Sequence, residues 1–115
     1  MSSVFAIAQS GMALQTLKLN TSANNVANAT TGGFVPADVA AQALGGGGVV
    51  GEVVQPNDPT FESRLDRTIA SLSGTDLAAE TVGQMTTVAS FGADVASVQS
   101  ADEALGALMT AVGGS

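Results

Sequence analysis

The last third of this chain contains a long run of residues at alternating spacings of three and four. The positions that share this spacing are Thr81, Gln84, Val88, Phe91, Val95, Val98, Asp102, Leu105, Met109 and Val112. Alternating spacings of three and four give the 3.5-residue period of a coiled-coil seam. Three glycines lie inside the run, and each costs about 1 kcal/mol relative to alanine in a free helix. The pattern therefore predicts a long helix that is marginal alone and needs close packing against partner helices.

A second seam of the same period runs through the beginning of the chain. Its members are Val4, Ile7, Gly11, Leu14, Lys18, Thr21, Asn25 and Asn28, apolar at first and polar at the end. This spacing predicts a first helix over residues 3–29. Gly32 and Gly33 supply the positive backbone angles that end a helix, and Pro36 forbids its continuation.

The segment between the two helices, residues 35–74, has the composition of an irregular connector. Residues 45–48 are four consecutive glycines, and the valines that follow them are consistent with a short extended segment that pairs with another chain or with nothing. Asp58 followed by Pro59 is a good helix start, and it predicts a short helix near residues 59–72.

The last helix has its own start signal. Thr75 or Asp76 is placed to cap it, and Glu80 falls in its first turn, where the positive helix end favours a carboxylate. We therefore predict an all-α fold, in which residues 1–34 and 75–115 contribute two long terminal helices to one coiled-coil-like domain, joined by the glycine-rich connector.

Composition separates a lone domain from a subunit of an assembly. Hydrophobic residues make up 45% of the chain and charged residues only 11%, against about 25% charged in ordinary soluble domains. This low charge is more typical of a subunit whose surface is buried by neighbouring subunits than of a small alanine-rich monomer.

The chain contains no cysteine and no histidine. A thiol nucleophile, a zinc cluster and an imidazole base are therefore all excluded, and no cofactor or metal site is predicted. The acid pairs Asp76 with Glu80 and Asp102 with Glu103 have no orienting group or substrate motif beside them, so we expect no enzyme activity.

The formal net charge is −7, with only three basic residues. Because there is no basic patch, binding to nucleic acid or to anionic lipid is not expected. No uncharged stretch approaches about 20 apolar residues, so no membrane span is predicted. The N-terminus lacks the basic region of a secretory signal, and we expect it to remain in the mature protein.

Motifs at the two ends of the chain resemble those of the axial proteins of the bacterial flagellum. The N-terminal motif consists of Ser10-Gly11-Met12, Leu17, Leu19, Asn24-Asn25-Val26-Ala27-Asn28, Thr31, Gly33 and Phe34. The C-terminal motif consists of Thr75-Asp76-Leu77-Ala78-Ala79-Glu80, Met85, Phe91, Ala93 and Ala101-Asp102-Glu103-Ala104-Leu105.

This resemblance implies a short rod subunit, most similar to the small proximal rod proteins and to rod protein C especially. Hook and distal-rod proteins carry large β-rich domains between the helices, and residues 35–74 leave no room for one. The resemblance also implies export through the flagellar type III apparatus without cleavage. It implies assembly in the periplasmic basal body with copies of itself and other axial proteins, as part of a hollow, torque-transmitting shaft.

The seams and the N-terminal motif together predict a set of assembly residues. They are Ile7, Gly11, Leu14, Asn24, Asn25, Asn28, Thr31, Gly33, Phe34, Val88, Phe91, Val95, Val98, Asp102 and Leu105. The asparagine amides both donate and accept, so they suit contacts with partner backbone that fix helix register. Asp102 is either solvated at a loose edge or a buried acceptor facing a neighbour's hydroxyl or amide. The alternative function is a small secreted helical adaptor that uses the same seam with one or two partners.

Overall fold

The computed structural model describes residues 2–55 and 73–114. The elements in this part of the chain are helix α1 (Ser2–Ala27), strands β1 (Asp38–Ala43) and β2 (Val49–Val54), and helix α2 (Leu77–Gly113). The two predicted long helices are confirmed, and they pack together. The short helix predicted near residues 59–72 lies outside the described residues.

The two helices run antiparallel. Asn25, in the last turns of α1, contacts Glu80 in the first turn of α2, while Gly11 faces Asp94 about halfway along. The buried apolar side chains are Ala8, Leu14 and Ala101, and the buried polar ones are Thr21, Asn25 and Thr87. Small and polar residues thus supply much of the contact between the helices. Neither described helix is long and apolar enough to cross a bilayer.

The N-terminus of α2 has the predicted cap. The Ala79 N–H donates to Asp76 Oδ1 at 3.1 Å, and Glu80 is the acidic residue of the first turn. This satisfies one of the free N–H groups that a helix start exposes, and it places a carboxylate near the positive end of the helix dipole.

Helix α1 ends earlier than the predicted residue 29. After Ala27 the chain continues in hydrogen-bonded turns, in which the Thr31 N–H donates to the Asn28 carbonyl at 3.0 Å. Of the two glycines expected to take positive φ, only Gly33 does, with φ 74°. The glycine therefore redirects the chain after the helix has already ended.

The all-α prediction is wrong for the connector, because β1 and β2 form an antiparallel hairpin with Asp38 opposite Val54 and Ala43 opposite Val49. The glycine run supplies the turn, since Gly47 and Gly48 have φ of 95° and 93°, values that other residues rarely adopt. The valines of β2 favour extended backbone. Their partner lies in the same chain rather than in another one.

The hairpin packs against one side of α1. A Cβ on Gly51 would lie 2.6 Å from Leu14 Cδ1 and 3.0 Å from Leu17 Cδ2, so a side chain here would require these leucines to shift. Nearer the turn, Ser10 Oγ accepts a hydrogen bond from the Val49 N–H at 3.1 Å. The hairpin therefore covers the Leu14 face of α1, and no helix or strand of the described residues covers the opposite face.

Candidate functional site

The side chain of Asn25 joins three elements of the fold. It is only 2% exposed. Its Nδ2 donates to the Ala37 carbonyl and to Glu80 Oε1, both at 2.8 Å, and its Oδ1 accepts from the Ala37 N–H at 2.9 Å. Thr75 Oγ1 donates to the Asn25 carbonyl at 2.9 Å. One residue of α1 thus holds the segment leading into β1 and the start of α2 at the same time.

The Glu80 carboxylate is the second centre of this network. Its Oε2 accepts from Ser22 Oγ at 2.5 Å, and Gln84 Nε2 donates to the same Ser22 oxygen at 3.0 Å. Two turns of α2 are therefore tied to two turns of α1 through hydrogen bonds in a partly buried setting. Such bonds are directional, so they fix the register of the helices more tightly than apolar contacts do.

The Asn25 amide bonds to the backbone of Ala37 in the way that a neighbouring β-strand does. It exchanges two hydrogen bonds with the N–H and the carbonyl of this residue, which directly precedes β1. Two residues further on, the Val39 N–H donates to Asp38 Oδ1 at 2.8 Å. The beginning of this strand edge is thus satisfied by side chains, which lowers its tendency to pair with another strand.

The two end motifs meet at this place. The Gly74 N–H donates to the Phe34 carbonyl at 2.8 Å, and Thr75 bonds to Asn25 as described above. The chain therefore leaves the N-terminal motif and enters the C-terminal one at adjacent points in space. We call the set Ser22, Asn25, Ala37, Thr75, Glu80 and Gln84 the Asn25 network.

The three asparagines of the N-terminal motif behave differently from one another. Asn25 makes the contacts described above inside the subunit. Asn28 Nδ2 donates to the Asn24 carbonyl at 2.9 Å, and Thr31 Oγ1 donates to Asn28 Oδ1 at 3.1 Å. Asn24 and Asn28 thus stabilise the end of α1 locally, and Asn24 and Thr31 remain exposed.

The face of α2 that packs on α1 differs in part from the predicted seam. The buried and half-buried positions at three-four spacing are Glu80, Gln84, Thr87, Phe91, Asp94, Val98, Ala101 and Leu105. Phe91, Val98 and Leu105 belong to the predicted seam and lie on this face. Val88 and Asp102 are exposed in the subunit, one position away from the buried Thr87 and Ala101.

Polar residues on the contact face explain this difference. The Asp94 carboxylate lies directly over Gly11, because a Cβ on that glycine would be 2.7 Å from Asp94 Oδ2. Glu80, Ser22, Ala37 and Thr75 were not predicted as site residues. Glu80 carried a signal, its place in the first turn of α2, but its partners on α1 and before β1 are distant in sequence.

The outer surface of α2 is unusually apolar. Its exposed large hydrophobic side chains include Leu77, Val82, Met85, Val88, Leu108 and Met109. Between Glu80 and Asp102 the only charged residue is Asp94, which is turned onto α1. Extended exposed apolar surface is typical of protein contact sites, and α2 exposes such surface along much of its length.

Comparison with known proteins finds one family. Residues 5–34, which include most of α1 and the N-terminal motif, match the family of flagella basal body rod proteins. Proteins of this family are structural, non-enzymatic subunits of the flagellar axis. No curated protein matches the chain at a significant level.

Proposed function

We propose that this chain is a structural subunit of the flagellar basal-body rod, which polymerises through its terminal helices into the hollow shaft that transmits torque from the motor to the hook. The observation that carries the proposal is the rod-protein match over residues 5–34. The matched segment contains Asn25, whose amide ties both helices and the hairpin together.

The surface of the subunit supports an assembly role. A monomer with this much exposed apolar surface on α2 and so few charges would be poorly protected against association. In a shaft, the same surface is buried by neighbouring subunits. Among the predicted assembly residues, Val88 and Asp102 are exposed and available for such contacts, whereas Leu14 and Asn25 are already buried inside the subunit.

The finer assignment is a small proximal rod protein of the rod protein C type. It is supported by the C-terminal motif, which begins at Thr75. It is also supported by the small hairpin, which follows α1 in the sequence at the point where larger axial proteins carry whole domains. This assignment implies export through the flagellar type III apparatus without a cleaved signal. It also implies a location in the periplasmic part of the basal body.

Truncation in the cell tests the proposal. Variants that lack residues 1–10 or 100–115 lose part of α1 or α2, and as the sole copy they should be expressed but absent from purified basal bodies, in cells that do not swim. Full-length Glu103→Gln is the control, because Glu103 is exposed in the subunit. Swimming cells that depend on a truncated chain would refute the proposal, and a full-length chain found outside the shaft would favour the adaptor.

A further inference from the structure

Helix α2 carries a second stripe at three-four spacing, next to the one that packs on α1. Its members are Thr81, Met85, Val88, Gly92, Val95, Gln99 and Asp102, all exposed except the half-buried Val95. Met85 is 68% and Val88 59% exposed, and a Cβ on Gly92 would meet no atom within 4 Å. The stripe has the spacing by which one helix packs on another, but no helix of the described residues covers it.

The outer face of α1 has a stripe of the same spacing. Its members are Ala6, Gln9, Ala13, Thr16, Asn20, Ala23 and Ala27, all of them exposed. This face lies opposite the one that packs on α2 and away from Leu14, which the hairpin covers. It is uncharged throughout, and most of its side chains are small.

The two stripes are complementary in size, and both are uncharged over nearly all of their length. Met85, Val88 and Val95 project apolar side chains, and an alanine-rich helix surface lets a neighbouring helix approach closely enough to bury them. Neither stripe carries a charge before Asp102 at the end of the α2 stripe, so their contact need not desolvate a carboxylate.

We propose that the α2 stripe of one subunit binds the outer α1 stripe of a second copy of this chain, an inference that rests on the proposed rod function and names the surfaces that meet. The contact joins two different faces, so each copy retains one free face of each kind. Such heterologous contacts continue from subunit to subunit and build open helical filaments instead of closed dimers. The α2 stripe extends about 30 Å along the helix, at 1.5 Å per residue.

Two variants separate the faces. Val88→Glu places a charge in the α2 stripe and leaves the α1 stripe intact, while Ala13→Glu does the reverse. Both positions are exposed in the subunit, so each variant should keep the circular dichroism spectrum and the thermal midpoint of the original chain. Ala93→Glu is the matched control, because it adds the same charge at an exposed position of α2 outside both stripes.

Sedimentation velocity over a range of concentrations gives the readout. The original chain and Ala93→Glu should associate alike, and each stripe variant alone should associate at least about tenfold more weakly, which corresponds to about 1.4 kcal/mol. An equimolar mixture of the two stripe variants should form a heterodimer and nothing larger, since one intact face of each kind remains. A chain that stays monomeric, self-association of Ala13→Glu through paired α2 stripes, or an equal effect of Ala93→Glu would overturn the proposal.

Incorporation of the variants into basal bodies tests the proposed contact separately from the proposed rod function. If both stripe variants enter basal bodies and support swimming, the proposed contact is wrong and the rod assignment stands. If the unaltered chain is absent from basal bodies, the rod assignment fails, and the mixing experiment still decides whether the stripes bind each other.

Discussion

Replacing Asn25 by alanine tests whether the Asn25 network holds the fold together. The change removes three side-chain hydrogen bonds of 2.8, 2.8 and 2.9 Å, one of them to the Glu80 carboxylate. A neutral bond contributes about 1 kcal/mol, and a bond to a charged group contributes about 1.5 to 3. The higher helix propensity of alanine offsets about 0.5 kcal/mol of this loss in stability. We therefore expect a loss of about 3 to 4.5 kcal/mol.

A loss of this size is large for this chain. A domain of this length is stabilised by about 6 to 17 kcal/mol, and only three apolar side chains are buried among the described residues. The thermal midpoint should fall by about 10 to 20 °C. Urea unfolding followed by circular dichroism at 222 nm measures the change, with the slope against urea checked for two-state behaviour.

The neighbouring Asn24→Ala is the matched control. Asn24 is exposed, and the one hydrogen bond that its side chain accepts, from Asn28, is long at 3.4 Å. Its replacement should change the free energy of unfolding by less than about 0.5 kcal/mol. If Asn25→Ala unfolds at the same urea concentration as Asn24→Ala, the Asn25 network does not stabilise the fold.

Two further predictions concern the contacts of α1 with α2 and with the hairpin. Glu80→Gln leaves one acceptor oxygen for two donors, so it should lower the free energy of urea unfolding by about 1 to 2 kcal/mol. Glu103→Gln, at an exposed site, should lower it by less than about 0.5 kcal/mol. Equal urea midpoints of the two variants would show that the Glu80 carboxylate does not stabilise the fold. Gly51→Ala places a methyl group 2.6 Å from Leu14 Cδ1 and should cost about 1 to 3 kcal/mol. Gly46→Ala, with open space around it, should leave stability nearly unchanged, so a neutral Gly51→Ala would contradict the close packing of the hairpin on α1.

The two helices were predictable because their signals are periodic and local. The three-four spacing defines both helices, and Asp76 with Glu80 marks the start of α2. The hairpin was missed because β1 is rich in alanine, which has little strand preference. Its formation depends on two features that are not apparent from local propensity: the left-handed turn at Gly47 and Gly48, and the approach of Gly51 to Leu14.

The candidate site was predictable only in part. The amide of Asn25 was expected to fix a helix register, and the structure shows it bonded to Glu80 and Ala37 within the same subunit. Spacing alone did not separate Asn25 from Asn24 and Asn28. Nor did it show which stripe of α2 faces α1, because Thr87 and Asp94 lie on the contact face while Val88 is exposed. A search for apolar periodicity does not detect a contact face that contains polar residues.

We propose that this chain forms part of the flagellar shaft as an antiparallel pair of helices. A density map of intact basal bodies, purified from cells that produce the chain, tests it most directly. We predict density in the rod wall that fits α1 and α2 joined at Asn25 and Glu80, with the hairpin on the Leu14 side of α1. If other subunits account for all of the rod density and this chain is absent from the purified particles, the proposed rod function is wrong.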